Sequence, residues 1–135
     1  MIQRIQSLWL LLAAGCSVAT ILLPFYAGNT SRNLYERLTG QSHFHLLILC
    51  VAVGLASLVS IFLFKNRKRQ TQITFVALLL QLLNIFFFIQ KTNAFTNGTY
   101  SLGSVFTFII PLLLILGIIG IRKDEKLIRS MDRLR

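Results

Sequence analysis

The chain has 135 residues, enough for one domain, but 55% of them are hydrophobic, 13% are charged and the mean hydropathy is +0.70. These values exclude an ordinary water-soluble domain, whose helices need polar faces toward solvent. The formal net charge of +10 is typical of proteins that bind nucleic acid or anionic surfaces. Its distribution indicates a membrane protein instead, because all eighteen charged side chains lie outside four charge-free segments: 5–31, 38–64, 70–90 and 92–121.

Each charge-free segment is long enough to cross the roughly 30 Å hydrocarbon core of a bilayer as an α-helix. Their apolar cores predict four transmembrane helices near 7–26, 44–64, 73–90 and 103–121. We therefore expect an all-α membrane protein, an up-down bundle of four helices in a single domain over 1–135. A β-barrel is excluded because its strands alternate apolar and polar residues, whereas several runs here are apolar on all sides.

The positive charges predict the orientation of this bundle. Eleven Lys and Arg residues lie in the amino-terminal stub, the second connection and the segment after residue 121, whereas three lie on the other side. Cytoplasmic segments carry the excess of Lys and Arg in membrane proteins. Both termini are therefore expected in the cytoplasm.

The first segment also has features of a cleavable signal. Residues 13–16 (AAGC) resemble a lipoprotein processing site, but the apolar run continues to about twenty residues and favours a retained span. In the connection that follows, Asn33 and Glu36 have the spacing of a capping box and Gly40 is suited to end a helix. This pattern favours a short helix on the outer surface.

The predicted spans contain no Asp, Glu, Lys or Arg, so their amides and hydroxyls are the polar groups of interest. Gln81 and Asn84 lie one turn apart in the third span, at the depths that Ser17 and Thr20 reach in the first. An unpaired amide in lipid is costly, so we expect direct hydrogen bonds between these two spans. A polar permeation path along the same residues is the functional alternative.

Small residues indicate where helices pack closely in a membrane. In the second span, one stripe of small residues consists of Ala52, Ala56 and Ser60, and Gly54 and Ser57 lie on another face. Either the bundle is compact or one of the two stripes receives another protein. Pro111 is expected to kink the fourth span. The predicted packing residues are Ala52, Ala56, Ser60, Gly117 and Gly120.

His43 and His45 are the titratable candidates nearest to a span. They share one side only in an extended segment, and two ligands make a poor metal site, so interfacial anchoring is the favoured interpretation. Cys16 and Cys50 are expected to pack as small apolar residues. We expect no catalytic, cofactor or metal site.

The basic segment 122–135 has amphipathic character if it is helical. Leu127 and Met131 lie on one stripe with other apolar residues, and Lys126, Arg129 and Arg133 lie on another. Such a helix is suited to an anionic lipid surface or to a cytoplasmic partner.

Two segments carry a resemblance to a known family. The opening residues 1–7 (MIQRIQS), followed by a Leu and Ala run, and the ending 121–135 (IRKDEKLIRSMDRLR) are similar to an uncharacterised family of short bacterial four-pass inner-membrane proteins. The resemblance covers the whole chain. It implies four helices in a bacterial inner membrane, and it brings no known activity or ligand.

These features favour a non-enzymatic membrane subunit or scaffold. Its expected partners are the lipid bilayer and a membrane protein or further copies of itself, with no nucleic acid. The alternative is a small oligomeric transporter or channel for an apolar or weakly polar solute. A membrane enzyme is a third hypothesis, which rests on His43, His45 and the external loops alone.

Overall fold

The structure, a computed structural model, describes residues 2–135, with side chains from residue 5 onward. It contains four helices, which make up 72% of the chain, and three short strands. The helices are α1 (Ile2–Leu22), α2 (Phe44–Phe62), α3 (Arg67–Thr92) and α4 (Leu102–Asp132). The strands are β1 (Tyr26–Thr30), β2 (Tyr35–Leu38) and β3 (Phe95–Tyr100).

Each helix is long and apolar enough to cross a membrane, with a mean hydropathy between 1.8 and 2.7 in its most apolar stretch. This property indicates a multi-pass membrane protein. α1 packs against α2 and α4, and α3 packs against the same two helices, so α1 and α3 occupy opposite corners of the bundle. Large apolar side chains remain exposed along all four helices, as expected of surfaces that face lipid.

The centre of the bundle is a small apolar core to which every helix contributes. Leu10 of α1, Val53 of α2, Ala77 of α3 and Ile110 of α4 are fully buried there. Ala13 of α1 and Ala77 of α3 are the small residues of this core, and such residues let helix backbones approach closely in lipid.

A three-stranded antiparallel sheet in the order β2-β1-β3 corrects the all-α prediction. The expected helix around 33–40 is also wrong, because Tyr35–Leu38 pairs as β2 with β1. Asn33 has a φ of 58° and closes the β1–β2 turn, where the Thr30 amide donates to the Leu34 carbonyl at 2.9 Å. Asn tolerates this left-handed conformation better than most residues, so it serves the turn and not a helix cap.

Every helix boundary except the start of α2 differs from the sequence-based one. α1 ends at Leu22, just before Pro24, and Tyr26 already belongs to β1. α3 begins at Arg67, six residues before the predicted start at 73. α4 passes through Pro111 and continues to Asp132, so most of the basic segment extends the fourth helix.

The two ends of the bundle are built differently. We call the end that carries β1, β2 and β3 the sheet end, and the end that carries Ile2, the α2–α3 connection and Arg135 the terminal end. At the sheet end the Phe25 ring stacks on Phe88 at 4.6 Å between centroids and meets Tyr100 edge-on at 5.7 Å. The Phe25 amide donates to the Leu38 carbonyl, and the Phe25 carbonyl accepts from the Ser101 amide.

Candidate functional site at the terminal end

Ser17, Thr20, Gln81 and Asn84 are all buried, but the direct hydrogen bonds expected between the first and third spans are not formed. Cys50 of α2 stands between them instead: its sulfur lies 3.6 Å from Thr20 Oγ1 and 3.3 Å from Asn84 Nδ2. The Ser17 hydroxyl donates to the Cys50 carbonyl at 2.5 Å. The predicted pairing is wrong because α1 and α3 lie at opposite corners, and a residue of α2 bridges the gap.

Gln81 has a specific partner that follows from Pro111. A proline has no amide hydrogen, so the carbonyl four residues earlier, that of Thr107, loses its donor within the helix. Gln81 Nε2 donates to this Thr107 carbonyl at 3.0 Å. The side chain of α3 thereby satisfies a backbone group that Pro111 frees in α4.

The side-chain oxygens of Gln81 and Asn84 differ from their nitrogens in having no hydrogen-bond partner in the described part of the chain. Gln81 Oε1 and Asn84 Oδ1 are buried without a hydrogen-bond partner among the residues that the structure describes. Their donors are used to join helices, which makes these residues packing contacts of the bundle.

Among the predicted small residues, Ser60, Gly117 and Gly120 lie at close contacts between helices. The Ser60 hydroxyl is 2.6 Å from Thr74 Oγ1 on α3, whereas a Cβ built on Gly54 would lie 3.3 Å from Ser17 Oγ on α1. Both stripes of α2 are therefore used inside the bundle. A Cβ on Gly117 would lie 3.2 Å from Leu10, one on Gly120 would lie 2.8 Å from Gln6, and Ala52 and Ala56 are half-buried.

The terminal end contains an ion pair that the sequence did not reveal. Arg67 Nη1, at the start of α3, lies 2.9 Å from Asp124 Oδ2 of α4, and the two side chains are only 16% and 11% exposed. Arg67 Nη1 is buried and forms no hydrogen bond in the described part of the chain, so the contact is mainly Coulombic. Nearby, Gln6 Nε2 donates to the Gly120 carbonyl at 2.8 Å. These contacts join α1, α3 and α4 at this end.

A cavity of about 500 Å³ opens beside the ion pair, and we call it the terminal cavity. Its polar part consists of Gln6, Ser7, Arg67, Gln70 and Asp124. The rest of its wall is apolar and comes from α1, α2 and the α2–α3 connection: Leu8, Leu11, Ile61, Phe62 and Phe64. A site with a polar floor and an apolar wall is suited to an amphiphilic ligand.

A second depression of about 720 Å³ lies on the other side of Phe64 and Arg67. It is strongly basic, since Glu125 is the one acidic residue among its lining side chains. Its basic residues are Lys65, Arg67, Lys68, Arg69 and Arg129. The terminal end therefore surrounds the Arg67–Asp124 pair with positive charge.

The end of α4 projects past this basic region. Leu127 and Ile128 are exposed, and Met131 is exposed more strongly. The charged face beside them includes Lys126, Arg129 and Arg133, all exposed, and Arg129 pairs with Glu125 at 2.7 Å. An ion pair this exposed contributes little stability.

The two histidines lie at the sheet end. His43 precedes α2 in extended backbone, with φ −135° and ψ 136°, so its ring stacks on His45 at 5.4 Å between centroids. Partial burial lowers the pKa of His43, the positive charges of Lys91 and His45 lower it further, and Glu36 opposes them. In the part of the chain that the structure describes, no group of three or more His, Cys, Asp or Glu residues is arranged to hold a metal.

Four long apolar helices thus suggest a multi-pass membrane protein, and its larger cavity lies at the terminal end. The chain belongs to an uncharacterised family: residues 2–134 match the family model described as "Domain of unknown function (DUF4293)". This match confirms the resemblance recognised in the sequence. No curated protein and no solved structure matches the chain.

The sequence did not predict the ion pair and the cavity of the terminal end. In the sequence, Arg67 and Asp124 belong to the charged segments that flank the spans, where Lys and Arg predict the orientation in the membrane. Nothing in the linear sequence places the two residues beside each other. One signal was present, since Asp124 is acidic within a strongly basic stretch. Glu125 and Asp132 lie in the same stretch, however, so this signal alone does not identify Asp124 as the partner of Arg67.

Proposed function

We propose that this protein is a non-enzymatic membrane subunit or scaffold that presents the projecting end of α4 to an acidic partner protein. It resides in the bacterial inner membrane with both termini in the cytoplasm, as the distribution of Lys and Arg favours. Its helix faces contact lipid and other membrane proteins.

The observation that carries this proposal is the unbroken course of α4. The helix has 31 residues, which at 1.5 Å per residue corresponds to about 46 Å, well beyond the roughly 30 Å of hydrocarbon. About ten residues therefore project beyond the bilayer. They carry an apolar stripe (Leu127, Ile128 and Met131) that is not covered by the described part of this chain.

The anchoring of α4 favours a protein partner over the lipid surface. Helix α4 is held at Gly120 by Gln6 and at Asp124 by Arg67, and it continues as a helix through the next eight residues. To lie flat on the leaflet, it would have to break between Asp124 and Leu127. A helix with one apolar stripe and a basic face is suited to an apolar groove with an acidic rim.

The experiment asks whether capture of a partner protein from native membranes depends on the apolar stripe of α4. The full chain carrying Leu127→Ser and Met131→Ser is compared with wild type after mild-detergent solubilisation and crosslinking. Arg122→Gln is the control, because Arg122 is exposed on the opposite face of the same helix. Exposing two apolar contacts that a partner buries costs about 3 kcal/mol, so retention of the partner should fall roughly a hundredfold. Equal capture by all three proteins would contradict the proposal.

The transporter alternative has less structural support. Gln81 and Asn84 are 0% exposed, and their donor atoms are used by the Thr107 carbonyl and the Cys50 sulfur. Groups that are sealed and engaged in this way favour helix packing over permeation.

A further inference from the structure

We propose that the terminal cavity binds an anionic phospholipid, with the lipid phosphate beside Arg67 and Gln70 and one acyl chain along the apolar wall between α1 and α2. This inference does not depend on the α4 partner.

The shape of the cavity matches such an amphiphile. Its volume of about 500 Å³ is within the range of small-molecule sites. Leu8, Leu11 and Phe62 on its apolar side are themselves more than half exposed on the outside of the bundle. The cavity therefore opens sideways toward lipid, so a phospholipid can enter from the leaflet at the terminal end.

Gln70 is the first residue that favours a ligand in the terminal cavity. The residue is only 3% exposed and lines the cavity, yet its carboxamide makes no hydrogen bond to the residues that the structure describes. Its backbone carbonyl, in contrast, accepts from Thr74 Oγ1. The carboxamide is not sealed in the protein, so it faces the cavity that Gln70 lines, and a phosphate oxygen there would accept a hydrogen bond from it.

The amino terminus of α3 also favours an anionic ligand at this position. Arg67 is the first residue of α3, Asn66 provides no side-chain cap, and Arg67 Nη1 has no acceptor in hydrogen-bond geometry. The free amide groups and the dipole of a helix amino terminus favour an anion. A phosphate in the cavity would lie beside the Arg67 side chain, which lines it together with Gln70.

The surrounding charge selects an anionic headgroup over a zwitterionic one. The charged side chains of the cavity itself are Arg67 and Asp124. Lys65, Lys68 and Arg69 line the adjoining depression, which shares Phe64 and Arg67 with the cavity, and they make its surroundings positive. Basic pockets between transmembrane helices are typical sites for anionic headgroups. A choline or ethanolamine group would place its own positive charge among these residues.

The test is native mass spectrometry of the full chain in detergent, with three lipids of identical acyl chains: phosphatidylglycerol, phosphatidylcholine and diacylglycerol. We expect phosphatidylglycerol to bind at least tenfold more tightly than phosphatidylcholine, and diacylglycerol to bind weakest. Equal affinity for phosphatidylglycerol and phosphatidylcholine would overturn the anionic assignment, and equal affinity for all three would overturn the phosphate site.

The decisive variant is Arg67→Gln with Asp124→Asn, which leaves the net charge unchanged. Its matched control is Arg129→Gln with Glu125→Gln, which removes the exposed ion pair of α4 and also leaves the net charge unchanged. We expect a tenfold or greater loss of phosphatidylglycerol affinity in the first variant and less than a twofold change in the second. An equal loss in both would show a general surface effect and overturn the cavity site.

A second variant covers the case in which the first one fails to fold. Gln70→Leu removes the unpartnered amide while keeping a similar volume, so the bundle should keep its thermal stability. It should nevertheless lose at least threefold in phosphatidylglycerol affinity. Unchanged affinity in Gln70→Leu would overturn the proposed position of the phosphate.

Discussion

The sheet end and the terminal end close the same four helices by different means. At the sheet end, backbone pairing of β1 with β2 and β3 covers the bundle, and stacked aromatic rings around Phe25 fill the space beneath. At the terminal end the helices are joined by side chains, above all Arg67 and Asp124, and a cavity remains. The sheet end also has a cavity, of about 270 Å³, beside Glu36, Arg37 and Lys91. The terminal end has the larger cavity and the more strongly basic surface.

This difference indicates which end interacts with other molecules. Backbone pairing and aromatic stacking satisfy the groups that take part in them and leave little for a ligand. Buried charged and amide groups are specific but costly, and they are retained where they bind something or fix a geometry. We therefore propose that other molecules bind at the terminal end and that the sheet end mainly closes the bundle.

The largest effect is expected from Phe88→Ala at the sheet end. Phe88 is fully buried and stacks on Phe25, so its removal leaves a cavity and should lower the free energy of unfolding by about 3–5 kcal/mol. Phe86→Ala, two residues away and exposed, is the control and should cost less than about 1 kcal/mol. Denaturant titration in detergent measures both, and similar losses would show that the aromatic cluster does not close this end.

Asp124→Asn should have a somewhat smaller effect at the terminal end. It leaves the guanidinium of Arg67 largely buried without a counter-charge, which costs about 3 kcal/mol. Adding Arg67→Gln removes that charge and should recover most of the loss. A double variant as unstable as the single one would show that the ion pair is not what joins α3 to α4.

A smaller effect is expected inside the bundle, between the two ends. Gln81→Leu leaves the Thr107 carbonyl without a donor and should cost about 0.6 kcal/mol, the average for hydrogen bonds between membrane helices. In a Pro111→Ala background the restored amide of residue 111 serves that carbonyl, so the same substitution should cost much less. A double-mutant cycle measures this coupling, and additive effects would contradict the assignment.

The smallest effect concerns pH at the sheet end. The pKa of His43 is lowered from 6.5, so the folded protein binds this proton less readily than the unfolded chain. Stability should therefore decrease slightly as the pH falls through 6.5, and His43→Gln should remove this dependence. An NMR titration that gives His43 a pKa at or above 6.5 would contradict the prediction.

The sequence predicted the helices well because hydrocarbon imposes one strong constraint. A segment that crosses a bilayer must satisfy its own backbone and exclude charge, and both properties are visible in a linear sequence. The burial of Gln81 and Asn84 follows from the same argument. The bundle order does not, so Thr20 and Asn84 were paired directly whereas both lie against Cys50.

The sheet and the terminal cavity were missed because both join distant segments. β1 pairs with β3 across about seventy residues, and Arg67 meets Asp124 across nearly sixty. Local sequence patterns do not predict contacts between distant segments unless the packing order of the helices and strands is already known. Pro111 is the exception. Because a proline has no amide hydrogen, the sequence alone indicates that the Thr107 carbonyl lacks its helical donor. The structure shows that Gln81 of α3 donates to it.

The most direct test of the whole account is the side of the membrane on which each end lies. Single variants Asn33→Cys at the sheet end and Arg135→Cys at the terminal end are labelled in intact cells with a membrane-impermeant maleimide, with wild type as the control for Cys16 and Cys50. We predict labelling of Asn33→Cys in intact cells and of Arg135→Cys only after the membrane is opened. Labelling of both variants in intact cells, or of Arg135→Cys alone, would contradict a four-pass bundle with cytoplasmic termini.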